Sequence, residues 1–376
     1  MASFWNSYWL SLVAVIRDRS VLLLILIGPI VYSFYYPFPY RPEVARNVPV
    51  AVADLDHSSL SRKLVRLVDA SPDIDVTFVA NSPEELRQAL WDGDIEGGLI
   101  IAKGFRRDVL RGETVKPIVL GNGAYFLFNR AELLGIAGAT QALSAELNLK
   151  RERSASVSAD QAQERIHPVR LELRAASNPT GGYSSYIVPA VAVVVLQQTL
   201  LLGICMLMGT WKASTAPFEL SDRRNRMGLV FAAATLCFLN ALYYVGIVYW
   251  REDYPHLGQM KDLLPVIAVF SLTAAAWSVA IGSWIRYREQ AVIHLLPTTI
   301  PIIFLAGFAW PVESIPEPLR ALGLLVPSTS GIQGFLNVDQ MGASLYQVMP
   351  ELLSLLVLLC GALTMILLKQ PERSCV

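Results

Sequence analysis

Six strongly hydrophobic stretches of the chain carry no charged residue, and a long charged segment separates the first from the other five. The uncharged runs are 20–40, 183–211, 227–250, 263–285, 291–312 and 352–368. Each is close to the ~20 apolar residues that a helix needs to cross a hydrocarbon core. The pattern predicts a polytopic α-helical membrane protein with six transmembrane helices. An α/β domain, residues 41–182, is inserted between helices 1 and 2, and residues 183–376 supply helices 2–6.

Inside the insert the pattern changes to short alternating elements. Residues 48–54 read as a buried strand ending in Asp54, Leu55 and Asp56, after which Ser58 or Ser59 caps a helix reaching Ala70. A strand follows at 73–80. Ser82, Pro83, Glu84 and Glu85 then spell a helix start, with a cap, a proline in the first turn and acids beside the helix dipole. That helix ends near Gly93. Residues 98–102 form a third strand, 105–111 a short helix and 116–120 a fourth strand. The order β-α-β-α-β-α-β predicts a layered α/β fold. A helix is expected over 125–153 and another strand over 169–175, before Asn178-Pro179 turns the chain into the second span.

Residues 1–19 carry a different signal. Phe4, Trp5, Tyr8, Trp9, Leu12, Val13 and Ile16 recur at helical spacing, while Asn6, Ser7, Ser11 and Arg17 fall largely elsewhere on the wheel. A Trp- and Tyr-rich stripe predicts an amphipathic helix lying in the membrane interface. Between helices 5 and 6, residues 310–345 hold Pro311, Pro316, Pro318 and Pro327 among apolar stretches too short to cross, which predicts an external hairpin at the membrane edge.

Charge sets the expected orientation. With the N-terminus in the cytoplasm, the short internal segments carry Arg17, Arg19, Lys212, Arg223, Arg224, Arg226, Arg286, Arg288, Lys369 and Arg373. The opposite loops carry only Arg251, Lys261 and Arg320. The bias places both termini inside and the insert outside, in the periplasm of a bacterial inner membrane protein. Of 62 charged side chains, 37 lie in the insert, so the spans are almost free of charge. The net charge of zero and the lack of a basic stripe exclude a nucleic-acid partner. The four cysteines all lie outside the insert, so no disulfide staples it.

Candidate chemistry is sparse. Asp54, Asp56 and His57 could approach a metal, but acids at a strand end more often cap the next helix. No phosphate-binding Gly-x-x-x-x-Gly-Lys-[Ser/Thr] loop, no nucleophile elbow and no Cys/His cluster occurs, so the chain is read as no enzyme and as holding no cofactor. The spans also lack the acids and bases of a proton relay. Their polar groups are mild: Gln197, Gln198 and Asn240 are candidates for a translocation path, with helix-packing glue as the plainer role. An energy source in another chain follows from these absences.

Several features in order, Ile16-Arg17-Asp18-Arg19, Gly28-Pro29, the strand and acids of 50–56, Gly97 to Ile101 followed by Phe105, Asn178-Pro179 and the proline-broken 310–327, resemble the membrane subunit of type 2 ABC exporters with a large external domain. The resemblance covers nearly the whole chain. It implies a permease paired with a second copy or a related permease, and bound to an ABC-type ATPase subunit that holds ATP and Mg. It implies that segment 209–227 docks on that ATPase, with Phe218, Glu219, Leu220 and Arg223 at the contact and Arg17 and Arg19 as a second contact. Many relatives have an Arg-Glu-rich stretch ahead of this segment, whereas this chain has Cys205 to Met208. The expected cargo is amphipathic or hydrophobic, moved out of the cytoplasm or inner leaflet. A periplasmic adaptor and membrane lipids complete the expected partners. The other reading is a receptor or scaffold whose external domain binds a ligand; five clustered spans exceed what an anchor needs.

Overall fold

The computed structural model describes residues 4–41, 45–111, 113, 115–122, 126–154, 178, 182–213, 220, 222–310 and 312–368. Two compact units divide the chain, residues 1–43 with 175–376 and residues 44–174.

The first unit is helical. Among the described residues, five helices are long and apolar enough to cross a membrane: Arg19–Tyr40, Tyr183–Ala213, Arg223–Arg251, Met260–Gly282 and Met349–Leu368. The stretch 291–312, expected as a further continuous span, is broken. It comprises a helix Arg288–Leu295, a 3-10 turn Leu296–Thr298 and a helix Thr299–Leu305. Pro297 and Pro301 cause the break, since each removes an N–H and crowds the carbonyl four residues earlier. Gly307, at φ 79°, then turns the chain aside in a conformation that a side chain would strain.

Helix Tyr183–Ala213 is buried around nearly its whole circumference and forms the axis of this unit. The first span closes on it at Gly203, where a Cβ would lie 2.4 Å from Ile25 Cγ1. Proline also shapes these helices, and side chains from other helices repair the damage. Pro29 has no N–H to offer the carbonyl of Ile25, and Asn240 Nδ2 donates to that oxygen at 2.7 Å. Pro189 likewise leaves the carbonyl of Ser185 without its helical donor, and Gln340 Nε2 donates there at 2.8 Å. Both repairs are non-local, so each locks a proline-bent helix to a specific neighbour.

The proline-rich segment does form short helices, Glu317–Leu324 and Pro327–Phe335, with a π turn Leu336–Gln340. The second is buried against the spans: a Cβ on Gly331 would lie 2.6 Å from Phe270 Cδ2. Asp339 pairs with His256 and its carbonyl accepts from the N–H groups of Leu257 and Gly258 at 2.9 Å.

The second unit is a four-stranded sheet in the order β2-β1-β3-β4, where β1 is Val48–Asp54, β2 Ile74–Ala80, β3 Gly97–Ile101 and β4 Ile118–Gly121. β1 runs parallel to β2 and β3, and β4 is antiparallel to β3. Side chains along β1 alternate large and small. Val48, Val50 and Val52 join a core with Leu64, Val68, Ile136 and Leu143, from helices Ser59–Asp69 and Phe126–Ser154. Ala51 and Ala53 face the other way, toward Leu86 and Ala89 of helix Pro83–Asp92. The small residues let that helix come close, and Gly98 completes the approach: a Cβ there would lie 2.6 Å from the Leu86 methyls. The helix starts match the expected caps, with Ser58 in a capping box with Ser61 and Ser82 accepting from Glu85 N–H. The strand expected over 169–175 lies outside the described residues.

Candidate functional site

The N-terminal helix Phe4–Arg17 turns the two tryptophans of its aromatic stripe away from the protein, while Phe4 packs edge-on against Phe231. Trp5 and Trp9 are 65% and 61% exposed, while Ser7, Ser11 and Val15, at i, i+4 and i+8, are buried. The small serine face is therefore the packing face. Ser7 Oγ donates to Asn225 Oδ1, Tyr8 bonds Thr235 at 3.2 Å, and a Cβ on Gly228 would lie 2.8 Å from Ser7 Cβ. Serine and glycine bring the backbones together where larger residues would not fit. Four exposed aromatic and aliphatic side chains remain on the outer face, Trp5, Trp9, Val13 and Ile16.

This helix passes into the first span through Asp18. The Asp18 side chain caps the span, accepting from Ser20 and Val21 N–H at 3.1 and 3.2 Å. It also receives the guanidinium fork of Arg288, with Nη1–Oδ2 at 2.5 Å and Nη2–Oδ1 at 2.8 Å. The Arg288 hydrogen bonds hold the Asp18 carboxyl below its ordinary range, against the opposing effect of partial burial. Arg288 Nη1 further reaches Thr210 Oγ1 at 3.2 Å, and a Cβ on Gly209 would lie 2.8 Å from the Arg288 backbone nitrogen. One guanidinium thus ties the start of the first span, the end of helix Tyr183–Ala213 and the start of helix Arg288–Leu295.

Lys212 sits one turn away and ends another helix. Its ammonium donates to the carbonyls of Gly282, Ser283 and Ile285 at 3.1, 2.7 and 2.7 Å, which satisfies the open C-terminus of Met260–Gly282. Asp18, Thr210, Lys212 and Arg288 therefore join four helices at the end of the bundle where segment 209–227 begins. In the sequence Lys212 and Arg288 stand out only as charges at the ends of apolar runs. The one legible signal was Asp18, a lone acid at a capping position between two arginines.

Arg17, Arg19 and Arg223 are exposed, and Leu220 is partly buried against the helical core. Phe218 and Glu219 lie outside the described residues. Arg226, counted among the charges that set the orientation, is buried, at 5% exposure. It falls one helical turn after Asp222, which caps its helix through Arg224 N–H at 2.9 Å.

The three amides proposed for a path are buried, and each bridges helices. Gln197 Oε1 accepts from Ser328 N–H, and Gln198 Nε2 donates to Thr299 Oγ1 at 3.1 Å. Gln197 Nε2 and Gln198 Oε1 have no partner among the described residues. Asn240 is the repair of the Ile25 carbonyl described above. In the sheet unit, Asp54 accepts from the N–H groups of Asp56 and His57 and from Ser61 Oγ, and Asp56 from those of Gly104 and Arg106. Both acids thus serve as caps, and no group of three metal-ligating side chains exists among the described residues.

A family model described as ABC-2 family transporter protein matches residues 19–368. The chain is 22% identical over 333 residues to the probable multidrug ABC transporter permease YbhS of Escherichia coli (strain K12), covering 84% of this chain and 82% of that protein. It is 20% identical over 332 residues to the probable multidrug ABC transporter permease YbhR of the same organism, covering 86% of each.

Proposed function

The chain belongs to the ABC-2 family of transporter proteins, and from that premise we propose that it is the permease half of an ATP-driven exporter of amphipathic or hydrophobic compounds. Six crossings are proposed, the sixth being the proline-broken segment 288–305. At 1.5 Å per residue these 18 residues extend about 27 Å, close to a bilayer core. Both termini lie in the cytoplasm and residues 41–182 outside, on the charge bias of the short loops. ATP and Mg are bound by a separate ATPase, and a second permease completes the pore.

The observation that carries this reading is the four-helix junction at Asp18, Thr210, Lys212 and Arg288. Segment 209–227 starts within it, so a displacement of that segment by an ATPase is passed directly to four helices. Phe218 and Leu220 would fill a groove on the ATPase, with Glu219, Arg223, Arg17 and Arg19 around it. Gln197 and Gln198 join the axial helix to Ser328 and Thr299. They would line the path when those elements part, because each already has one polar atom without a partner among the described residues.

The test is copurification of the full chain with its ATPase, and transport by the pair. Phe218→Asp should abolish both while the permease alone remains folded. Normal binding and transport by that variant would remove the docking assignment. ATPase activity of the reconstituted complex that no amphipathic compound stimulates would count against the cargo class.

A further inference from the structure

A cavity of about 360 Å³ opens between helix Thr299–Leu305, helix Glu317–Leu324, helix Pro327–Phe335 and the start of Met349–Leu368. Leu305, Val312 and Leu324 give it apolar walls, and Arg320 and Glu351 place opposite charges on its lining. Glu351 Oε2 and Thr329 Oγ1 are both shielded from solvent and have no hydrogen-bond partner among the described residues. The neighbouring hydroxyl of Ser330 is already spent on Ser354 at 2.8 Å. Among the described residues, no ion pair joins Arg320 to Glu351, so each charge is available to a ligand.

A buried carboxylate oxygen with no donor is unfavourable, and a charged N–H donor relieves it best. The required ligand must therefore carry a cationic N–H group and, for Arg320, an anion. On the helix that brings Arg320 and Leu324 to the cavity and just after it, Leu319, Leu322 and Leu325 are exposed apolar side chains. Such a surface beside a charged pocket in a membrane protein fits acyl chains. We propose that this cavity binds the headgroup of a phospholipid bearing a primary ammonium. The ammonium sits on Glu351 and Thr329, the phosphate on Arg320, and the chains lie along Leu319, Leu322 and Leu325. A quaternary ammonium has no N–H and leaves both oxygens unsatisfied, so phosphatidylethanolamine is bound in preference to phosphatidylcholine.

The experiment is native mass spectrometry of the detergent-purified full chain with equimolar dioleoyl-phosphatidylethanolamine and dioleoyl-phosphatidylcholine. The ethanolamine lipid should be retained over the choline lipid by roughly tenfold. Glu351→Gln should bring the two to parity, and Arg320→Gln should weaken both. Equal retention by the unmodified protein, or a preference that survives Glu351→Gln, overturns the proposal. Displacement of the lipid by equimolar glycerophosphoethanolamine overturns the role of the chains. If Glu351→Gln does not purify as a folded protein, the exposed Arg320→Gln decides, and undiminished retention of both lipids refutes the site.

Discussion

Glu132 allows the sharpest test of the energetics. Its carboxyl is fully buried between helix Phe126–Ser154 and β3, where Oε1 accepts from Gly98 N–H at 2.9 Å and Oε2 has no partner among the described residues. Only glycine leaves room for it, since a Cβ on Gly97 would lie 1.9 Å from Oε2. Burial pushes the carboxyl up to about 8; the Gly98 hydrogen bond opposes this and the charge of Glu96 adds to it. The unfolded chain releases this proton near 4.5, whereas the folded domain keeps it to about 8. Between those values the folded state binds more protons, so stability falls as pH rises. The slope approaches about 1.4 kcal/mol per pH unit, and across the whole window the loss is on the order of 4–5 kcal/mol. Glu132→Gln retains the acceptor for Gly98 and cannot ionise. The assay is amide hydrogen exchange of the full-length protein from pH 5.5 to 7.5, with protection corrected for intrinsic rates. Protection in β3 and in residues 126–143 should fall by up to roughly tenfold per pH unit in the unmodified protein. In Glu132→Gln it should be flat and, at pH 7.5, higher. Equal slopes in the two proteins, or protection that rises with pH, would refute the assignment of a buried proton.

Three further outcomes follow from the helical unit. Asp18→Asn loses the charged fork to Arg288 and should lower stability by about 1–3 kcal/mol, read as a drop in Tm in detergent; an unchanged Tm would mean the junction is not held by this pair. Gly203→Val drives a side chain into Ile25 and should cost about 1–3 kcal/mol. Adding Ile25→Ala should recover most of that cost, and a double variant no more stable than Gly203→Val alone would contradict the close approach. Asn240→Leu orphans the Ile25 carbonyl inside the bundle and should cost about 1–2 kcal/mol; thermal unfolding indistinguishable from the unmodified protein would show that another donor takes over.

Much of the architecture is written in local patterns. Uncharged runs of span length mark four continuous helices besides the first, and in the sheet unit Ser58, Ser82 and Gly93 mark helix ends through bonds made within a few residues. The alternation of valine and alanine in β1 specifies which face takes the bulky helices and which admits Pro83–Asp92 closely. Hydrophobic periodicity failed at 291–312, where composition reads as a span but Pro297 and Pro301 divide the helix. It also left open which face of the N-terminal helix packs, because a membrane protein can turn its aromatics to lipid and its serines inward.

By itself, then, the sequence determined a membrane protein with one inserted α/β unit and no phosphate loop of its own, because burial pattern, capping and motif are properties of neighbouring residues. Only the tertiary structure decided what the isolated polar groups do. Asn240 answers Pro29, Gln340 answers Pro189, and Arg288 meets Asp18 from 270 residues away. The physical reason is that in an apolar interior every orphaned carbonyl and charge must find a partner. Which partner reaches it depends on helix packing that no local pattern encodes.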